Sequence, residues 1–380
     1  MGGYLTRLFL CERPLRHLPA GAAIGLLAVL MAVLAWSSVA VPGFSAAQDA
    51  RSAAAAAAAS AARSGARPIG DFALYEKIER RVERGEDYYA AAMDEQRANN
   101  YPTRPFVTVR LPTLARIDAA LSPGLVKNAQ LLLLLGIAGG FFVYFRGMLG
   151  TGQAAAGAVL VMLGGAGVMT AAAPYIHELA AGLLLSLAFV LYRTDRLWPS
   201  LLAAALALAL RELALPFALL WLAFAAGARR WREAAAVGAL IGLFAGGLYL
   251  HYLGVSAHAL PSDLPSPGWR ALAGPVLPLF ALARMSGLMV LPLWLAGPLA
   301  VLPLVGWIGL GGRAGLFAAL WNAGFLAAMA LFARPENAYW VMLVLPLYFA
   351  GFAMLPRALA DVIAAATGRT SGLANSAPRR

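Results

Sequence analysis

Nine apolar runs divide this 380-residue chain, and they constrain its fold more than any motif does. They cover about residues 18–41, 128–145, 152–173, 176–191, 197–227, 234–253, 286–310, 314–333 and 338–356. A helix needs roughly 20 apolar residues to cross a bilayer. Inside hydrocarbon every backbone N–H and C=O must be paired within the protein, and a helix does this within one segment. Composition agrees: 61% of residues are hydrophobic and 13% charged, against roughly one-half and one-quarter in soluble domains. This excludes a disordered chain and an ordinary cytosolic enzyme. The single cysteine, Cys11, excludes an intrachain disulfide and a cysteine-based metal site. The expected fold class is an all-α integral membrane protein, one transmembrane domain over 1–380.

Charge sets the topology. Arg7, Arg13 and Arg16 precede the first run. Its apolar core exceeds that of a signal peptide, so it reads as an uncleaved first helix with its N-terminus inside. Residues 197–227 number 31, with Arg211-Glu212 in the middle and Pro216 behind. As one span they would put a charged pair at mid-bilayer, which is costly, and would send eight downstream arginines outside. As a hairpin of two short helices they leave every arginine cluster inside, as the positive-inside rule requires. The expectation is about ten transmembrane helices, two of them short, with both termini cytoplasmic. Each hairpin arm of roughly 14 residues spans about 21 Å, so its tip sits below the outer surface, in a protein-lined cavity. With this topology, 14 of the 18 acids fall on the outer side. The net charge of +12 is then mainly a topology signal, and no nucleic-acid partner is expected.

Residues 43–125 form a large first extracytoplasmic loop. It opens with an alanine-rich spacer (46–67) and continues as an amphipathic helix (71–84), where Phe72, Tyr75, Ile78 and Val82 recur at helical spacing. Gly85 interrupts this helix, and Pro102, Pro105 and Pro112 mark extended chain. Residues 254–285 form a second outer loop, with a short interfacial amphipathic helix expected within 270–284. Residues 357–380 are read as a cytoplasmic tail.

The outer segments gather the unusual polar residues. Asp71-Phe-Ala-Leu-Tyr75 is followed by Gly85-Glu86-Asp87-Tyr88-Tyr89. His177-Glu178 opens a membrane helix after Pro174. Arg211-Glu212 tips the hairpin, and Arg334-Pro-Glu336-Asn337 precedes the last run. Arg110 lies between apolar residues before the second span. Plainer roles accompany each: Asp71 can cap a helix, Glu86 and Asp87 can be a solvated pair, Glu178 suits a helix N-terminus, and Arg211-Glu212 can be an internal ion pair. Tyr339 and Trp340 are read as interfacial anchors.

This arrangement resembles the C-type membrane glycosyltransferase superfamily. The resemblance rests on the first helix, the large outer loop with an early acid and tyrosine, and the Pro/aromatic stretch Tyr101-Pro102…Pro105-Phe106…Arg110-Leu-Pro112. It covers topology over the whole chain and residue motifs over about 71–112. It implies transfer of a sugar from a polyprenyl-phosphate donor to a glycan, lipid or protein acceptor. The implied place is a bacterial inner (plasma) membrane, with the active site facing the periplasm or exterior. A first-loop carboxylate would be the general base: Asp71 first, then Asp87 with Glu86. Donor phosphate or substrate would be held by Arg211, Arg334, Arg110, Glu178, His177, Glu212, Glu336, Asn337 and Tyr75. No metal-ligand set is assigned. The resemblance allows a divalent metal, although the Asp-x-Asp found in many members is missing from the second outer loop. The chemistry suits these residue types independently: a carboxylate takes a hydroxyl proton, and arginine forks hold phosphate. Two other classes fit the same charges, a transporter or flippase of lipid-linked sugars and a non-catalytic membrane assembly protein.

Overall fold

The computed structural model describes residues 11–61, 69–269 and 271–368. Among them the protein is helical, with no β-strand. Five helices are long and apolar enough to cross a membrane: Ala20–Ala54, Pro123–Leu149, Trp231–Ala257, Leu293–Leu310 and Gly312–Phe332. Shorter apolar helices cover Thr151–Gly164, His177–Leu191, Trp198–Leu210 and Glu212–Gly227. Large apolar side chains stay on the outside, among them Leu243 at 75% exposure and Leu250 at 66%. Water would penalise such a surface by roughly 25 cal/mol per Å², whereas lipid does not. That is where the excess hydrophobicity of the composition resides.

The helices are α1 (Ala20–Ala61), α2 (Asp71–Glu83), α3 (Tyr88–Ala98), α4 (Thr113–Leu121), α5 (Pro123–Leu149), α6 (Thr151–Gly164) and α7 (His177–Leu191). They continue as α8 (Trp198–Leu210), α9 (Leu215–Gly227), α10 (Trp231–Ala257), α11 (Val276–Arg284), α12 (Leu293–Leu310), α13 (Gly312–Phe332), α14 (Leu345–Tyr348) and α15 (Gly351–Ala366). The alanine-rich spacer is, as far as Ala61, a continuation of α1; residues 62–67 lie outside the described residues. Alanine has the highest helix propensity, which accounts for the extension.

The run 197–227 breaks at Arg211, whose backbone is extended (φ −151°, ψ 121°). The Arg211 side chain meets Glu178 at the start of α7. The far ends of both arms lie at the other end of α7. Trp221 of α9 shares Glu233 with Tyr192, the residue that follows α7. The run therefore doubles back on itself.

The last apolar run does not form one helix. It divides into a 3-10 helix (Pro335–Leu343) kinked at Asn337, then α14, then α15, which runs into the segment read as tail and ion-pairs Asp361 with Arg13. Pro346 and Gly351 interrupt it. This broken segment threads the middle of the bundle. A Cβ at Gly306 would overlap the Gly351 carbonyl, and one at Gly182 would overlap that of Met342. Small residues permit such close approach where lipid supplies no hydrophobic drive. Around it Phe141, Phe145, Phe189 and the fully buried Trp307 stack with centroids 4.5–6.3 Å apart.

Helices α2–α4 close over one end of the bundle with their own core of Leu74, Tyr75, Ile78, Tyr88 and Met93, seated on Val255 of α10. The amphipathic face expected for 71–84 is the buried one, with Leu74 and Glu79 added to it. The strap 259–269 ties this cap down: Arg97 Nε donates to Asp263 Oδ1 at 2.7 Å, and Ser266 N donates to the Arg104 carbonyl at 2.6 Å. The expected interfacial helix within 270–284 forms only over Val276–Arg284, and it is packed inside with Leu277, Ala281 and Leu282 buried. Gly274 at φ +76° and Pro275 delay its start. Arg270 lies outside the described residues.

Candidate active site

Gly70, with extended backbone, is the N-cap of α2, so Asp71 is the first helical residue. Its carboxylate caps nothing. Oδ2 accepts from the Tyr339 hydroxyl at 2.8 Å, and Oδ1 lies 3.0 Å from the Tyr101 hydroxyl, whose single hydrogen is shared with the Ile69 carbonyl at 2.7 Å. Burial and the neighbouring Asp71 carboxylate raise the Tyr101 phenol above its ordinary value, so it stays protonated and donates. The two phenols hold the Asp71 carboxyl from both sides.

Tyr339 passes the interaction inward. Its hydroxyl accepts from Arg110 Nη2 at 2.9 Å, while Arg110 Nε donates to the Tyr75 hydroxyl at 2.9 Å. Arg110 is placed through its backbone, since its carbonyl accepts from the Tyr88 hydroxyl at 2.6 Å. Arg110 Nη2 lies 3.8 Å from Glu178 Oε1, which accepts from Arg211 Nε at 2.7 Å. Arg211 Nη1 pairs with Glu212. The result is one chain of polar groups, Asp71–Tyr339–Arg110–Glu178–Arg211–Glu212, drawn from five separate parts of the sequence. The Arg211 and Glu178 side chains are 1% and 2% exposed, whereas Glu212 reaches 24%. The cluster is thus sealed at Arg211 and opens toward Asp71 and Glu212.

Desolvation decides how these charges must be arranged. A buried ion costs several kcal/mol unless paired and hydrogen-bonded. Three carboxylates and two guanidiniums alternate along the chain, so each arginine is flanked by acceptors. The side wall is aromatic: Tyr75 meets His177 edge-on at 5.3 Å, Phe72 meets Tyr339 at 6.0 Å, and Trp340 lies 6.0 Å from the Arg211 guanidinium. Beside Arg211, the Trp340 indole Nε1 is buried with no hydrogen-bond partner, as is Arg334 Nε in the turn before it. Buried polar atoms are normally satisfied, so the Trp340 N–H marks one place where a ligand's acceptor would be welcome.

The structure brings together Asp71, Tyr75, Arg110, His177, Glu178, Arg211 and Glu212. Arg334 and Asn337 stand in the turn that delivers Tyr339, where Arg334 N donates to Asn337 Oδ1 at 3.4 Å; Glu336 is exposed. Glu86 and Asp87 are not brought to the cluster. Asp87 caps α3 by accepting from Tyr89 N and Ala90 N at 2.9 and 3.1 Å, and Glu86 pairs with Arg81 at 2.7 Å. Tyr339 corrects its reading as an interfacial anchor, being 6% exposed and central to the cluster. Trp340 likewise faces Arg211. Tyr101 and Tyr339 could not have been picked from the sequence, because a tyrosine beside a membrane run most often marks an interface.

Among the described residues no group of three or more His, Cys, Asp or Glu side chains is placed to hold a metal ion. Compared with models of protein families, with curated proteins and with solved structures, the chain matches none.

Proposed function

We propose that this protein is a membrane glycosyltransferase that moves a sugar from a polyprenyl-phosphate donor to an acceptor hydroxyl on the outer side of the membrane. The observation that carries the reading is the Asp71 carboxyl, held by two phenols at one of the two open ends of a chain of charges that is sealed at Arg211. Asp71 takes the acceptor's hydroxyl proton. The acceptor oxygen forms a bond to the anomeric carbon, and the bond from that carbon to the donor phosphate oxygen breaks. Both bond electrons leave with the phosphate, and attack from the opposite face inverts the centre. A positioned carboxylate base contributes roughly 10²–10⁴-fold.

The leaving phosphate needs fixed cations and N–H donors. Trp340, beside Arg211, offers a buried indole N–H, and Arg334 in the turn before it is the proposed second cation. Arg211 spends Nε on Glu178 and Nη1 on Glu212. It therefore acts chiefly as a brace that fixes the Glu178 carboxyl in place.

In this reading the chain crosses the membrane ten times with both termini inside, as its arginine distribution favours. The implied setting is a bacterial inner membrane.

The test is transfer by the purified chain in proteoliposomes, using radiolabelled polyprenyl-phosphate sugars and a mixture of glycan, lipid and peptide acceptors. Label moving to an acceptor supports the proposal. Label crossing the bilayer still attached to its lipid would instead assign the protein as a flippase. Neither event with any donor would favour an assembly role.

A further inference from the structure

At the end of the bundle opposite Asp71, a cavity of about 180 Å³ lies between α7, α9 and the first turns of α10 and α13. Tyr144, Phe189, Phe217, Trp221, Phe224 and Phe317 make its walls. A cavity of roughly 150 Å³ is enough to hold a benzene ring. The acid at its edge is already used: Glu233, 4% exposed, accepts from Tyr192 Oη at 2.8 Å and from Trp221 Nε1 at 2.7 Å, and lies 3.6 Å from Arg230 Nη1. Arg313 differs. Its Nη2 donates to the Phe224 carbonyl at 3.3 Å, and among the described residues no ion pair includes it. Arg313 therefore sits at the rim of an aromatic cavity with no close ion pair among the described residues, with Arg230 and Glu233 on the same wall.

Two exposed tryptophans close to the rim put it near the headgroup level of a bilayer. Trp198 and Trp231, which open α8 and α10 beside it, are 58% and 66% exposed. Exposed tryptophans mark the membrane interface. Arg193 and Arg196 lie over Tyr144 and Trp198 at 4.5 and 5.2 Å, adding to the positive charge there.

We propose that this cavity binds an anionic membrane lipid, with its phosphate on Arg313 and Arg230 and the first carbons of one acyl chain among the aromatic rings. A free hydrated phosphate would satisfy the arginines and leave the aromatic walls without a partner, whereas an amphiphile satisfies both. The inference rests on the protein's residence in a bilayer and is independent of the transferase reading.

The test uses the full chain in nanodiscs of phosphatidylcholine, with or without phosphatidylglycerol, reading retained lipid by native mass spectrometry and thermal midpoint by intrinsic fluorescence. Phosphatidylglycerol is expected to be retained and to raise the midpoint. Arg313→Gln should weaken retention roughly tenfold, the factor for one charge-assisted contact. Phe317→Trp, which fills the cavity without touching charge, should do the same. Inorganic phosphate added to phosphatidylcholine discs should leave the midpoint unchanged. Equal midpoints in the two lipids would overturn the proposal. So would wild-type retention by either variant, or stabilisation by inorganic phosphate alone.

Discussion

The Tyr339 hydroxyl donates to Asp71 Oδ2 at 2.8 Å across 268 residues of sequence. The Tyr339 hydroxyl oxygen in turn accepts from Arg110 Nη2 at 2.9 Å. Tyr339 therefore couples the proposed base to the buried ion pairs. Its replacement by phenylalanine keeps the ring against Phe72 and removes the hydroxyl alone. Tyr339→Phe should cost about 1–3 kcal/mol of stability, because Arg110 is left with an unpaired N–H. Transfer should fall roughly 10-fold or more, with the acceptor KM less affected than kcat. Steady-state kinetics and thermal unfolding of the same preparation check both.

Arg211 and Glu178 form a buried pair at 2.7 Å. Removing one partner leaves the other buried and charged. Arg211→Met should therefore destabilise the fold by about 3–5 kcal/mol. Adding Glu178→Gln to that variant should restore much of the loss. A double-mutant cycle on thermal unfolding in nanodiscs reads the coupling, and additive effects would argue against a pair that acts as one unit.

Asp87 lies outside the cluster and caps α3. Asp87→Ala should cost about 1 kcal/mol of stability, the usual value of an N-cap. It should leave transfer unchanged under conditions where the protein stays folded. Parallel activity and unfolding measurements separate this from a role in the reaction.

Glu79 of α2 and Asp118 of α4 are 5% and 3% exposed, next to Glu76 and Tyr175. Burial raises both carboxyls above the ordinary range, and for Glu79 the adjacent Asp118 raises it further. An acid raised in the folded state stabilises fully below its unfolded value of about 4. That contribution is lost as pH climbs through the raised values. The thermal midpoint should fall as pH rises from about 4 through the raised values, about 7 for Asp118 and about 10 for Glu79, and Glu79→Gln should flatten the upper part of this fall. An unchanged slope in Glu79→Gln would show that other groups set the pH dependence.

The apolar runs and their arginine borders made the helical membrane architecture legible. So did the break at Arg211, because a charged pair in the middle of 31 apolar residues has few places to go. The amphipathic face of α2 could be read from its period. The division of 338–356 into pieces was not foreseen, since hydropathy is blind to the Pro346 and Gly351 interruptions within an apolar stretch. In the site, buried charges stood out individually, and the structure brings Asp71, Arg110, Glu178 and Arg211 to one place. Tyr101 and Tyr339 stayed hidden, because nothing in a tyrosine's neighbours along the chain says which carboxylate its hydroxyl will meet. Asp87 and Asp71 are alike in sequence, each an acid opening a helix. They separate only through tertiary contacts, one capping α3 and the other meeting two phenols.

The most direct measurement is sugar transfer by Asp71→Asn in proteoliposomes, beside wild type and Asp87→Asn at matched protein and matched thermal midpoint. Asparagine keeps an acceptor for one phenol but presents an NH2 group to the other, and it cannot take a proton. The account predicts a loss of roughly 100-fold or more for Asp71→Asn and full activity for Asp87→Asn. Wild-type transfer by Asp71→Asn would contradict it.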